Sequence, residues 1–228
     1  MLHQKLREIR DPVLRAVRDH PFWSGLRDGT LPGQALARFV VQDTGFLLPA
    51  YARALARCAA AAPDDQDTAL LAQSAVASLQ AAGRLRRVYG ELAEELGLPP
   101  LERGGPEAEP ATRAQMAFFA AATATSFPAG VGALLPMVWF NAEVSDRLRD
   151  AARPGSRYTP WIAAYHPGEG YHYAVQAFLE LTDRADRRCS VLDRAQLVEQ
   201  FTLGVRYERA FADCVCPPVK TIRKVEAG

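Results

Sequence analysis

Residues 33–62, GQALARFVVQDTGFLLPAYARALARCAAAA, carry the pattern that decides the fold. Leu36, Phe39, Val40, Phe46, Leu47 and Tyr51 gather on one side of a continuous helix from Gly33 to Ala62, as the three- and four-residue spacing of a half-buried helix requires. Pro49 lies inside this run. It has no N–H to donate, so the helix is expected to kink or locally break its hydrogen-bond ladder there. Asp43 falls within the apolar stripe. A carboxylate in that position must be paired or hydrogen-bonded, or it shifts its pKa and takes up a proton.

Helical spacing continues on both sides. Leu2, Leu6, Ile9, Val13, Leu14 and Val17 form one stripe, ended at His20-Pro21 because the residue before proline is pushed out of the α region. Residues 22–32 are rich in breakers and read as a compact turn region. A third helix is expected from Asp64-Asp65 to Leu96, stopped by Gly97, and residues 98–110 read as a surface loop. Further helices are expected over 111–127, then, after an interruption at Pro128–Gly132, over 133–152, with a short segment at 159–165 and two more at 169–187 and 192–214. No alternating run argues for a strand. The expectation is an all-α bundle of about seven or eight helices, forming a single domain over residues 1–216, with a basic, mobile tail at 217–228.

Composition narrows the function classes. A chain of 228 residues buries a large core without a disulfide or metal staple. Its 27 Lys and Arg nearly cancel 26 Asp and Glu, and a net charge of +1 lacks the basic footprint of a nucleic-acid binder. No run of about 18 apolar residues and no Lys/Arg-rich amphipathic stretch points to a membrane. The opening MLHQKLREIRD has no apolar core of a secretory signal, so a cytoplasmic location is expected. Cys58, Cys189, Cys214 and Cys216 are too scattered for a disulfide framework, and the CxC at 214–216 lacks the second pair of a zinc site. His166 and His172 flank Glu169 without forming a helical ligand motif, and Glu143 is a candidate to approach His172. No metal and no cofactor is expected; a nucleophile elbow and a phosphate-cradling glycine loop are also lacking.

Candidate chemistry rests on a few residues. Glu208, flanked by Val205, Tyr207 and Phe211, reads either as a general acid or base with a raised pKa or as a surface partner of Arg206 or Arg209. Trp161 and Tyr165 share a helix face, and Trp139 and Asn141 follow Met137 on another apolar helix. Such aromatic stripes are ordinary core, but with Asp43 and Glu208 embedded they make a stacking pocket for a small planar ligand the functional expectation.

With these residues in place, the chain resembles the TenA / thiaminase II family, which has a heme-oxygenase-like all-α fold. The matching stretches are HPF at 20–22, DGTLP at 28–32, VQD at 41–43 with YARALA at 51–56, SF at 126–127 and LLPMVW at 134–139. Glu143, WIAAY at 161–165 and RYE at 206–208 follow in the same order. The resemblance implies that Asp43 holds a heterocyclic ring, that Glu208 handles the proton, that Tyr165 packs the ring, and that Trp139 is the tryptophan following the nucleophile position. The family's nucleophilic cysteine is replaced by Met137, whose thioether cannot form a thiolate. Tyrosines the family would place in the pocket fall on Phe46, Ala114 and Asn141. Together with Trp161, these positions are expected to line a substrate pocket. The family's di-iron relatives are disfavoured, since the helix around 79–92 has no histidine. The resemblance implies a homo-oligomer, dimer or tetramer. The functional expectation is a diverged enzyme acting on a small planar metabolite, with a non-catalytic binding protein, or an aminopyrimidine aminohydrolase using another nucleophile, as alternatives.

Overall fold

The structure, a computed structural model, describes residues 1–101 and 107–216. The basic tail expected at 217–228, and residues 102–106 of the expected loop, lie outside the described residues. Among those described there is no strand. The helices are α1 (Leu2–Arg18), α2 (Pro21–Asp28), α3 (Gly33–Gln42), a π-helical turn (Asp43–Leu47), α4 (Leu48–Ala60), α5 (Asp65–Leu96), α6 (Pro110–Thr125), α7 (Phe127–Ala151), α8 (Thr159–Tyr165), α9 (Tyr171–Arg188) and α10 (Val191–Val215). With α3, the π turn and α4 running on as one rod, nine helices stand among the described residues, more than the seven or eight expected.

The additional helix is α2, in a stretch expected to be a turn. His20 caps it, with Nδ1 accepting from the Phe22 N–H at 3.2 Å, and Pro21 occupies the first turn, where no N–H is needed. Gly29, in the left-handed region at φ 75°, closes it. The break between α6 and α7 is also displaced from its expected place. It falls at Ser126, whose hydroxyl accepts from the Ala129 N–H at 3.2 Å, so that Pro128 lies harmlessly in the first turn of α7. The helix then runs unbroken through Gly130, Gly132 and Pro136.

α7 is the central rod, buried over most of its length between α6, α9 and α10. Its contact with α10 is close because Gly132 has no side chain: a Cβ there would sit 2.2 Å from the Leu197 carbonyl oxygen. Gly204 on α10 meets the Pro136 ring in the same way. α5 closes the side against α4, and α1 lies against α10 and α9, tied at its start by His3, whose Nδ1 is 2.6 Å from the Asp183 carboxylate. No helix among the described residues is long and apolar enough to cross a membrane.

Candidate functional site

Between the π turn, α5, α7, α9 and α10 lies a cavity of about 440 Å³. Asp43, Glu208 and Tyr165 all line it, as do Met137 and Asn141. Asp43 opens the π turn at 6% exposure, and among the described residues its carboxyl has neither a hydrogen-bond donor nor an ion-pair partner. Burial alone pushes its pKa up to about 7. Glu208, on α10, is pushed up to about 8 by burial first and by the nearby Asp43 charge second; the Gln115 side-chain amide opposes this by donating to Oε1 at 3.2 Å. At neutral pH the two carboxyls therefore hold protons between them that ordinary surface carboxyls would have lost.

Aromatic rings pack beside this pair. Tyr165 stacks on Trp161 with ring centres 5.0 Å apart, and Trp23 and Phe39 approach at 5.4 and 6.1 Å. Burial first, and then the Asp43 charge, raises the Tyr165 pKa well above the ordinary value, with the nearby Asn141 side chain acting the other way. Tyr51 and Tyr171 also line the cavity. The Tyr51 hydroxyl donates to the Leu134 carbonyl at 3.0 Å.

Four residues expected at the pocket lie off its wall. Trp139 faces the α1 side of α7, where the Arg10 guanidinium sits 4.1 Å from its ring centre. Trp161 is fully buried behind Tyr165 and serves as its backing. Phe46 is half-buried beside the wall because the π turn rotates it away and presents Leu47 and Leu48 instead. Ala114 is on the exposed face of α6, and its neighbour Gln115 is the residue turned inward, to Glu208. Glu143 does not meet His172: it pairs with Arg10 at 3.4 Å, whereas His166 and His172 both approach Asp146, at 3.0 and 3.4 Å. Among the described residues no group of three His, Cys, Asp or Glu side chains is placed to hold a metal ion.

Gln115 and Arg84 escaped sequence reasoning. A neutral amide on an amphipathic helix, and one arginine in a run with Arg86 and Arg87, give no signal until the neighbouring helices are in place. No cysteine of the described residues lines the cavity. Cys58 is buried between α4 and α7 beside Gly130, and burial pushes its thiol up to about 12. The site can therefore offer hydrogen bonds of both senses and a movable proton, but no thiolate.

A family model described as TENA/THI-4/PQQC matches residues 3–216. The aminopyrimidine aminohydrolase of Bacillus subtilis is 28% identical over 193 residues, covering 84% of this chain and 80% of that protein. The thiamine biosynthesis multifunctional protein ThiED of Corynebacterium efficiens is 32% identical over 165 residues; the match takes in 72% of this chain and 21% of that much longer protein. Among solved structures, a TenA homologue from P. horikoshii superimposes with a TM-score of 0.77 at 26% identity, over 94% of this chain and 98% of that one. A domain with a heme-oxygenase-like fold from Shewanella denitrificans gives a TM-score of 0.65 at 14% identity, over 94% of this chain and 90% of that one, a likeness of fold alone.

Proposed function

The chain belongs to the TENA/THI-4/PQQC family, and on that premise we propose that its cavity binds a small planar nitrogen heterocycle and acts on it by proton transfer, without a cysteine nucleophile. The observation that carries this reading is the Asp43 carboxyl, buried on the cavity wall with no protein partner among the described residues. A buried polar group left unpaired costs free energy unless a ligand pairs it, so such a group marks a binding position.

In this reading Asp43 anchors a ring nitrogen and its adjacent amino group, accepting from one and, when protonated, donating to the other. Tyr165, backed by Trp161, stacks against the ring. Glu208, positioned by Gln115 and carrying a proton near neutral pH, delivers that proton to a leaving group and can take one from water. Met137 occupies the wall where the resemblance implies a nucleophile, so a covalent adduct has no attacking atom. A cytoplasmic protein that assembles as a dimer or tetramer completes the proposal.

The probe is 4-amino-5-aminomethyl-2-methylpyrimidine, a ring of the class named by the aminohydrolase relatives. Calorimetry is expected to show that it binds, with affinity reduced roughly tenfold or more in Asp43→Ala, which removes both hydrogen bonds to the ring. Absence of binding by the wild-type protein overturns the reading. Met137 favours one second reading, a binding protein that releases its ligand unchanged. Ammonia release at high protein concentration, followed against Glu208→Gln, separates the two.

A further inference from the structure

The cavity is larger than one ring requires. A dry cavity of about 150 Å³ accommodates benzene, and the volume here is about 440 Å³. α5 contributes Gln73, Gln80 and Arg84 to the wall. Ser74 and Ser78 line it too, but each gives its hydroxyl proton to a carbonyl of its own helix, at 2.8 Å. Arg84 and the two glutamine amides are thus the donors on this side.

Arg84 is half-buried, and its Nε–H donates to the Ala164 carbonyl at 3.3 Å, which fixes the guanidinium against α8. Among the described residues no carboxylate comes within ion-pair distance of it, and its terminal nitrogens donate to nothing. A guanidinium on a cavity wall, oriented through Nε and with its remaining N–H groups unused, is suited to an oxyanion, which it can engage with two parallel hydrogen bonds.

We propose that the ligand is bipartite: a planar heterocyclic head at Asp43 and Glu208, joined to an anionic arm, phosphate ester or carboxylate, held by Arg84. The head rests on the function proposed above; the arm rests on the α5 side of the cavity alone. A second, neutral ring at the arm position leaves the Arg84 charge unpaired in a partly desolvated site and binds less tightly than an anion there.

The test compares three probes that share the 4-amino-2-methylpyrimidine ring: the 5-hydroxymethyl alcohol, its phosphate ester, and the 5-carboxylate. Calorimetry on wild-type protein is expected to give at least one anion binding about tenfold or more tighter than the alcohol, with the tighter of the two naming the arm. That preference is expected to fall to within about twofold in Arg84→Gln and to survive in part in Arg84→Lys, which keeps the charge but loses the planar fork. An alcohol that binds as well as both anions, or a preference that persists in Arg84→Gln, overturns the arm and leaves the head intact. If no ring probe binds, the head fails, and inorganic pyrophosphate decides the arm independently. A rise in Tm in the wild type that is absent in Arg84→Gln supports it, and no rise in the wild type overturns it.

Discussion

Asp43 and Glu208 illustrate how far single residues can be read. A carboxyl in an apolar stripe was legible as unusual from its neighbours alone, and burial raises its pKa as that position implies. What the neighbours could not supply was the partner. Glu208 gains Gln115, from a helix some 90 residues earlier, and not the adjacent Arg206 or Arg209; Arg209 pairs with Asp213 instead. Met137 yields a direct prediction. Met137→Cys places a thiol on the cavity wall, and iodoacetamide is expected to modify it faster than the buried Cys58, as peptide mass mapping would reveal. If loss of a thiolate is what separates this chain from the aminohydrolases, the variant also gains ammonia release from the aminomethyl probe; no gain would mean that more of the wall has changed than this side chain.

At the scale of elements, the π turn is the feature on which the site depends. Pro49 cannot donate to the helix, and the one-residue expansion at Asp43–Leu47 accommodates this by placing Pro49 in the first turn of α4. The same expansion turns Phe46 off the wall and leaves Asp43 on it. Deleting Phe46 returns the segment to α register, so helical circular dichroism is expected to persist while binding of the pyrimidine probe is lost; retained affinity would dissociate the turn from the site. The α7–α10 crossing makes a second prediction. Gly132→Ala drives a methyl group into the Leu197 carbonyl backbone, which cannot move aside as a side chain can. A loss of about 1–3 kcal/mol in urea unfolding is expected, the usual cost of overpacking. The segment misread as a turn, α2, has its own lesson. Its histidine cap, Pro21 and Gly29 are start and stop signals set only eight residues apart, and at that length the apolar pattern cannot distinguish helix from turn.

For the molecule as a whole, the two elevated carboxyls make stability depend on pH in a defined direction. Unfolded, they ionise near pH 4; folded, near 7 and 8. Between those limits the native state binds more protons than the unfolded state, so their contribution to stability is fully present below about pH 4 and is lost as pH rises through 7 to 8. His20 acts in the opposite sense, because burial lowers its pKa and favours the fold as it becomes neutral. The informative quantity is the difference between wild type and the Asp43→Asn/Glu208→Gln variant. The variant is expected to gain Tm relative to wild type as pH rises from 5 to 8, and a constant difference would mean that the carboxyls are not held protonated. The sequence by itself determined the helical class, most helix ends and the unusual standing of Asp43, because periodicity, caps and prolines act within a few residues. Only the tertiary structure decided which aromatics face the cavity, that Gln115 supports Glu208, and that Arg84 looks into the same space. Those facts depend on the rotation of each helix about its axis and on which helices pack side by side, and no local pattern encodes either.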